Sequence, residues 1–348
     1  MGFFGVGTTP SSARADAGAG SSVTTATHPS APIPVQGTPV GEGVRVPLGE
    51  TGFDVFPLIV GGGEFGWHVD LATSHAILDA YRERGGNAIK TSDAYSGGRS
   101  EHIIGEWMSR RQARDSAVLS VRIGTHPDHP GLGSVNLIRS VEASLTRLQT
   151  DRIDVLYLDT TGPTKAALED TLATAEWLIE SGKVRALGSL GHTASQLVEA
   201  RILASAGYPR ITALDVPYNV LRQSEFDDDL RLVATAQGIA VTPSQALEHG
   251  YLSGVYRERA KVTASVRGAQ LAAAMNRRGT RTLRAMDKIG AELSIPTSAV
   301  AIAWLLAQRA VVAPIVNVYA VAHVDELVQG VGARLSRAHL AEMAKAAQ

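Results

Sequence analysis

The chain has 348 residues, and its 33 Lys and Arg nearly balance its 34 Asp and Glu. This length allows one large α/β barrel or two smaller domains, and the near-neutral charge argues against a nucleic-acid-binding surface. The lack of cysteine excludes disulfides, thiol nucleophiles and Cys-ligated metals, and no run reaches the roughly 18 apolar residues of a membrane helix. We therefore expect a cytoplasmic protein with a small-molecule substrate and no nucleic acid, membrane or obligate protein partner.

The N-terminal segment, residues 1–42, is rich in Gly, Ser, Thr, Ala and Pro and lacks aliphatic periodicity. Such a segment buries too little apolar surface to offset the entropy of an ordered chain, so a disordered tail is predicted. Residues 43–348 are predicted to form a single domain. It begins with a short hairpin over Arg45–Val55, whose turn contains glycine.

Strand and helix patterns then alternate along the chain. The predicted strands are Phe56–Val60, Ala88–Thr91, Ala117–Ile123, Ile153–Leu158, Ala186–Leu190, Ile211–Val216, Ile239–Pro243 and Ala313–Asn317. Between them lie segments with the 3.6-residue period of amphipathic helices, such as Val135–Leu148. This alternation predicts an α/β fold, a parallel (β/α)8 TIM barrel. A doubly wound sheet is the alternative, but no G-x-G-x-x-G motif follows the first strand.

An insertion follows the seventh strand over residues 250–280. It is rich in arginine, at Arg257, Arg259, Arg267, Arg277 and Arg278. These charges either solvate a mobile segment or belong to a lid that contacts an anionic ligand. Earlier in the chain, His126 and His129 are three residues apart, but spacing supplies no third ligand, so no metal site is predicted.

Gly85–Tyr95, followed by Gly97–Glu101, resembles the second strand, loop and helix start of the aldo-keto reductases. Further stretches similar to that family are Arg139–Leu145, Leu148–Asp154, Gly182–Gly188 and Ala301–Leu306. The resemblance implies a (β/α)8 barrel with an N-terminal hairpin across its bottom. It also implies NADPH-dependent carbonyl reduction by a tetrad of Asp, Tyr, Lys and His, in which the Tyr donates a proton to the carbonyl oxygen.

The tetrad that the resemblance implies is altered in this chain. The Tyr is kept as Tyr95, whereas Lys90 stands for the Asp, Arg122 for the Lys and Asp159 for the His. We expect these four catalytic candidates to converge at the C-terminal ends of the barrel strands, where the active sites of such barrels lie. One alternative is a plug in which Asp159 pairs with Lys90 and Arg122. Another is a Schiff base on Lys90, which requires a lowered amine pKa.

The cofactor positions implied by the resemblance are altered as well. The changed positions are Leu190 and Gly191 for Ser-Asn, Asp215 for Gln, Gln245–Leu247 for Ser-Pro-Leu, Asn317 for Gly, Ala320 for a cation and Leu327 for Asn. Backbone amides can still bind phosphate, but little remains that would recognise NADPH. No cofactor is therefore predicted, with NADPH as the alternative.

A different ligand is predicted to occupy the cleft. Its candidate binding residues are Trp67, Asp215, Tyr218, Asn219, Gln245, Asn317 and Tyr319. Tyr319 could instead fill vacated space as part of the core.

The leading hypothesis is an aldo-keto reductase-like enzyme that no longer uses NADPH. It would perform proton-transfer chemistry, such as elimination, isomerisation or cyclisation, on a small oxygenated metabolite. Tyr95 or Asp159 would be the acid or base, and Lys90 and Arg122 would stabilise an enolate or carboxylate. One alternative is a divergent NAD(P)H-dependent reductase that uses Tyr95 as the acid. The other is a non-catalytic protein that binds a ligand or serves as a scaffold.

Overall fold

The computed structural model describes residues 44–163 and 165–348. The tail predicted over residues 1–42 lies outside the described residues. The strands are β1 (Val46–Pro47), β2 (Asp54–Val55), β3 (Ile59–Gly61), β4 (Ala88–Ser92), β5 (Val118–Ile123), β6 (Ile153–Asp159), β7 (Val184–Leu190), β8 (Ile211–Pro217), β9 (Ala240–Ser244) and β10 (Ile315–Asn317).

Helices follow the barrel strands. They are α1 (Leu71–Glu83), α2 (Arg99–Arg111), α3 (Ser134–Leu148), α4 (Leu168–Glu180), α5 (Ala194–Ser205), α6 (Asp228–Ala236), α7 (Arg259–Thr263), α8 (Gly268–Ala274), α9 (Arg277–Leu293), α10 (Thr297–Leu306), α11 (Val321–Gly332) and α12 (Arg337–Ala346). Among the described residues, no single helix is long and apolar enough to cross a membrane. Helices α9 and α10 pass that test only together, as a pair bent by 94°.

The other eight strands, β3 to β10, form one parallel sheet in the order β10-β3-β4-β5-β6-β7-β8-β9. The segment before β10 closes it, because Val312 N donates to Val241 O of β9 at 2.9 Å, while Ile315–Asn317 pair with β3. The predicted (β/α)8 barrel is therefore confirmed. Its first strand begins at Ile59 rather than Phe56, because the Phe56 amide is hydrogen-bonded to the Asn87 side chain instead.

The predicted hairpin is confirmed as the antiparallel pair β1–β2. Leu48 and Val55 of the hairpin pack into the same buried cluster as the inward side chains of the barrel strands. Alanines at five inward positions leave room for them: Ala88, Ala186, Ala213, Ala240 and Ala313. Inward positions alternate along each strand, so the residue that follows Ala88 on the inner face is Lys90, and the one that follows Ala213 is Asp215.

The insertion after β9 contains the short helices α7 and α8. Three of its arginines are tied to the rest of the chain: Arg257 pairs with Asp287 at 2.6 Å, Arg267 pairs with the buried Glu64, and Arg278 donates from Nε to the Ala347 carbonyl oxygen. Arg259 and Arg277 are exposed. The insertion therefore packs against the barrel through specific ion pairs, and Arg267 brings it to the C-terminal ends of the strands.

Candidate active site

A cavity of about 380 Å³ lies at the C-terminal ends of the barrel strands. Its wall includes the sequence-selected residues Lys90, Tyr95, Arg122, Asp215, Gln245, Asn317 and Tyr319. Residues from the loop after β9, the insertion, α10 and α11 complete it, including His249, Arg267, Ser298, His323 and Glu326. The cavity thus runs from the barrel axis outward to the start of α11, and its inner end is charged.

The innermost charges are a buried ion pair across the barrel. Lys90 on β4 donates from Nζ to Asp215 Oδ2 on β8 at 2.6 Å, and the two side chains are only 5% and 4% exposed. The strands β4 and β8 are separated by three others on one side of the barrel, so the pair spans the interior. Lys90 therefore pairs with Asp215 and not with Asp159, the partner expected in the salt-bridged plug.

The Lys90 amine also lies over an aromatic ring. Its Nζ is 3.3 Å from the ring centroid of Tyr157 on β6, a distance at which a cation is attracted by the ring face. The Tyr157 hydroxyl is hydrogen-bonded to Thr242 Oγ1 at 3.0 Å. Gly188 makes room for this ring, because a Cβ there would lie 2.6 Å from it. The lysine is therefore held from two sides by groups that are themselves fixed.

Burial lowers the pKa of the Lys90 amine to about 8, because a charged ammonium loses hydration there. The Asp215 carboxylate acts in the opposite direction, and the Arg122 guanidinium adds to the lowering. The amine can therefore lose or accept a proton near neutral pH. A group with these properties at a cavity wall is suited to acid–base chemistry.

A second, looser ion pair joins β5 to β6. Arg122 Nε lies 3.4 Å from Asp159 Oδ2, and the guanidinium carbon is 5.0 Å from the ring centroid of Tyr95. Asp159 is buried, whereas Arg122 and Tyr95 are partly open to the cavity. Arg122 therefore lies between the carboxylate and the tyrosine and presents its positive charge to the cavity.

Asp159 is held in place by the loop that follows it. Its Oδ1 accepts hydrogen bonds from the backbone amide and the hydroxyl of Thr161, at 2.9 and 2.6 Å. Gly124 allows β5 to end against β6, because a Cβ there would lie 2.3 Å from the Asp159 carbonyl oxygen. Within the described chain, Asp159 does not border the cavity. The structure therefore brings Lys90, Tyr95 and Arg122 to one cavity and places Asp159 behind Arg122.

The loop after β9 forms one side of the cavity in an unusual backbone conformation. Gln245, Glu248 and His249 have φ values of 55°, 46° and 55°, a left-handed region that is costly for residues with side chains. Glu248 anchors the loop, since it accepts hydrogen bonds from Asn219 Nδ2 and Arg222 Nη2, both at 2.7 Å. Asn219, predicted as a ligand-binding residue, therefore supports the loop from below.

Two other predicted binding residues also lie elsewhere. Tyr218 is only 1% exposed and packs against Phe226 and Trp304, with ring centroids 5.4 Å apart in each pair. Trp67 is 68% exposed and stacks on His68 outside the cavity. In the portion of the chain that the structure describes, none of Trp67, Tyr218 and Asn219 borders the cavity.

The outer part of the cavity lies at the ends of β3 and β10. Asn317 Oδ1 accepts from the Gly63 amide at 3.3 Å and fills the space beside Gly61. Tyr319 is 40% exposed and borders the cavity, so it is a wall residue rather than core. Helix α11 begins after Ala320, whose side chain cannot cap it.

Three features of this site were not singled out from the sequence. The Tyr157 ring beneath Lys90 could have been found from strand alternation, because Tyr157 and Asp159 occupy successive inward positions of β6. The Arg267–Glu64 pair and the Lys90–Asp215 pair join residues that are distant in sequence. We find no local pattern that would have indicated which charges pair.

Comparison with known proteins places the chain in a family. The model of the aldo/keto reductase family matches residues 57–348. The chain is 31% identical over 312 residues to the aldo-keto reductase ausK of Aspergillus calidoustus, covering 82% of this chain and 77% of that protein. It is 28% identical over 316 residues to norsolorinic acid reductase of Aspergillus flavus, covering 86% and 79%.

A third relative extends over nearly the whole of both chains. The aldo-keto reductase AFTS1 of Alternaria alternata is 26% identical over 344 residues, which cover 89% of this chain and 93% of that protein. Both the family match and the 31% identity span most of the barrel, so the resemblance seen in the sequence motifs is confirmed. The chain belongs to the aldo/keto reductase family.

Proposed function

We propose that this aldo-keto reductase-like enzyme catalyses proton transfer on a small oxygenated metabolite without NADPH. The reaction would be an elimination, isomerisation or cyclisation that passes through an enolate. One observation carries the proposal: the buried Lys90–Asp215 pair borders the cavity and couples an amine of lowered pKa to a carboxylate. An acid and a base side by side at one cavity wall are what such chemistry requires.

Asp215 is the best-placed base in this proposal. Its Oδ2 accepts from Lys90, while its buried Oδ1 has no hydrogen-bond partner among the described residues. Burying a carboxylate oxygen without a hydrogen-bond partner costs stability. A C–H or O–H group of a bound substrate can contact this oxygen. The base role considered for Asp159 in the sequence analysis therefore passes to Asp215, since Asp159 does not reach the cavity within the described chain.

Lys90 and Arg122 supply the matching positive charge. Asp215 would take a proton from the carbon beside a substrate carbonyl, and the Lys90 ammonium or the Arg122 guanidinium would stabilise the negative charge that develops on the carbonyl oxygen. The enolate then takes up a proton at another carbon, expels a group from the next carbon, or attacks an electrophile within the substrate. Tyr95, which faces Arg122, is the candidate acid for that later step.

The residues present fit NADPH poorly. The Lys and Arg side chains of the cavity wall all face carboxylates: Lys90 faces Asp215, Arg122 faces Asp159, and Arg267 faces Glu64. At the outer end, Ala320 offers no cation, and the Glu326 carboxylate, hydrogen-bonded to Ser298 Oγ at 3.0 Å, adds negative charge. A 2′-phosphate is a dianion near neutral pH, so at this end it would meet the Glu326 carboxylate and, among the described wall residues, no Lys or Arg that lacks a carboxylate partner.

Proton exchange tests the proposal without knowledge of the substrate. The purified protein is incubated in D2O, without cofactor, with a panel of small ketones, hydroxyketones and β-keto acids, and deuterium at the α carbon is followed by NMR. We expect exchange above background for at least one compound. Asp215→Asn should abolish it, whereas Trp67→Ala, which alters an exposed residue outside the cavity, should not. Exchange that is equal in the wild type and Asp215→Asn would refute the proposal.

The second candidate is NAD(P)H-dependent carbonyl reduction, because the relatives are named as reductases and Tyr95 is kept. Arg122 would then stand in for the family lysine. Calorimetric titration of NADPH and NADH separates the two candidates. Binding in the micromolar range, typical of metabolic ligands, followed by oxidation of the cofactor with a carbonyl panel, would favour reduction. No binding at roughly millimolar cofactor would favour proton transfer.

A further inference from the structure

We propose that Lys90 is also a nucleophile, which forms an imine with aldehydes or ketones that enter the cavity. The inference deepens the proposed function and rests on it for the substrate class, since both take a small carbonyl compound at the same wall. It goes further in assigning a covalent intermediate to one named atom, Lys90 Nζ.

The position of Lys90 is the first support. The side chain extends from the inner face of β4 to the innermost part of the cavity wall, and only 5% of it is exposed. Asp215 Oδ2 holds Nζ at 2.6 Å, and the Tyr157 ring covers it at 3.3 Å. A compound in the cavity therefore meets an amine in a fixed position, which lowers the entropic cost of bond formation.

The charge environment is the second support. An amine is nucleophilic only when it is neutral, and desolvation or a cationic neighbour favours that form. Lys90 has both, because it is buried and Arg122 borders the same cavity, and together they outweigh the Asp215 carboxylate, which favours the charged form. The pKa of its amine is lowered to about 8 by burial. By contrast, the exposed Lys288 donates to Glu342 at 3.0 Å, and this hydrogen bond raises the pKa of its amine.

The neighbouring carboxylate completes the proton transfers of imine formation. Asp215 takes one proton from the Lys90 ammonium, and the amine nitrogen bonds to the carbonyl carbon. The former carbonyl oxygen then leaves as water after it has gained two protons, one from Asp215 and one from the nitrogen. The net reaction turns an ammonium and a carbonyl compound into a protonated imine and water, and no oxidant or reductant is needed.

The imine would strengthen the proposed proton transfer. A protonated imine withdraws electrons from the adjacent carbon more strongly than a neutral carbonyl group does, so the α proton becomes more acidic. Asp215, within hydrogen-bond distance of the same nitrogen, is then the base. One pair of side chains would thus serve both steps.

A 1,3-diketone tests the proposal because it traps reactive amines. Acetylacetone condenses with a neutral lysine amine to a stable enaminone, which has a near-ultraviolet absorption band and adds the mass of the diketone minus water. We expect one equivalent on the full-length protein, located at Lys90 by peptide mass spectrometry. Its rate should be half-maximal near pH 8 and fall about tenfold per pH unit well below that value.

Two variants control the experiment. Lys90→Arg keeps a cation opposite Asp215 but has no nucleophilic amine, so it should fold, as judged by circular dichroism, and lose the enaminone. Lys288→Met removes a surface amine and should leave enaminone formation at Lys90 unchanged. As a second measurement, borohydride reduction in the presence of acetaldehyde should fix an ethyl group on Lys90 of the wild type alone.

Each possible result supports or overturns the assignment of Lys90 as a nucleophile. Enaminone spread over surface lysines, or none at Lys90 by either method, would overturn the nucleophile assignment. The outcome is separable from the proposed function: deuterium exchange without enaminone would keep proton transfer and discard the imine. Enaminone at Lys90 without exchange of any carbonyl compound would keep the reactive amine and discard proton transfer as the reaction.

Discussion

Replacing the buried Lys90–Asp215 pair by apolar residues, as Lys90→Met with Asp215→Leu, should change how the stability of the barrel depends on pH. The double variant removes both charges together, so neither is left buried without a partner. Such replacements are often neutral or stabilising, because the charged pair loses its hydration on folding. The informative quantity is the difference in unfolding free energy between wild type and variant at each pH.

The magnitude follows from the Lys90 amine. Its pKa is lowered to about 8 in the folded protein, against about 10.4 in an unfolded chain. Between these two values the unfolded chain binds more protons than the folded one, so the unfolding free energy rises with pH. The change is about 3 kcal/mol, from roughly 2.4 pH units at about 1.4 kcal/mol each. Below pH 8 the whole destabilisation is present, and above about pH 10.4 it is gone.

Urea denaturation of both proteins from about pH 7 to about pH 10.5 measures this difference. Other groups titrate in both proteins and cancel in the comparison. We expect the wild type to gain about 3 kcal/mol relative to the double variant across that range. Lys288→Met serves as a surface control without this gain. A difference that stays flat, or falls as pH rises, would refute the lowered pKa and with it the acid–base role of Lys90.

Three further substitutions test the packing around the site. Arg114→Ala should cost about 3 kcal/mol in urea denaturation, because it removes two hydrogen bonds of the buried Asp154, at 2.9 and 3.0 Å, and leaves that carboxylate with the Leu119 amide and the more distant Arg152; an unchanged midpoint would contradict this. Gly188→Ala should displace the Tyr157 ring, lower the unfolding free energy by about 1–3 kcal/mol and slow enaminone formation at Lys90. An unaltered near-ultraviolet circular dichroism spectrum would argue against a displaced ring. Arg267→Ala should speed hydrogen exchange in the insertion selectively, and equal exchange in both proteins would mean that the pair with Glu64 does not hold that segment.

The barrel could be predicted because its signals are local. Each strand is a short apolar run that ends in a small or polar residue, and the runs alternate with amphipathic helices. The largest displacement of a strand boundary, from Phe56 to Ile59, depends on a hydrogen bond to Asn87. That contact joins residues 31 positions apart, so no pattern within the run could have shown it.

The site was predictable only in part, for a related reason. Strand alternation shows that Lys90, Arg122, Asp159 and Asp215 face inward, but which charges meet depends on the stagger of strands around the barrel. Lys90 and Asp215 are 125 residues apart and on opposite walls. For Trp67 the position of the loop did not fix the direction of the side chain. The loop lies at the correct end of the barrel, but the ring points to solvent.

The Lys90–Asp215 contact also limits the routes by which this chain and its reductase relatives could interconvert. By resemblance, the two positions correspond to an Asp and a Gln in the family. Changing Lys90→Asp alone would remove the ammonium that now lies 2.6 Å from Asp215 and add a second carboxylate to the same buried interior, and like charges that share a buried site are unfavourable. Changing Asp215→Gln alone would leave a buried ammonium without its counter-charge. Either single substitution would therefore lower the stability of the fold. The two positions are expected to change together or not at all.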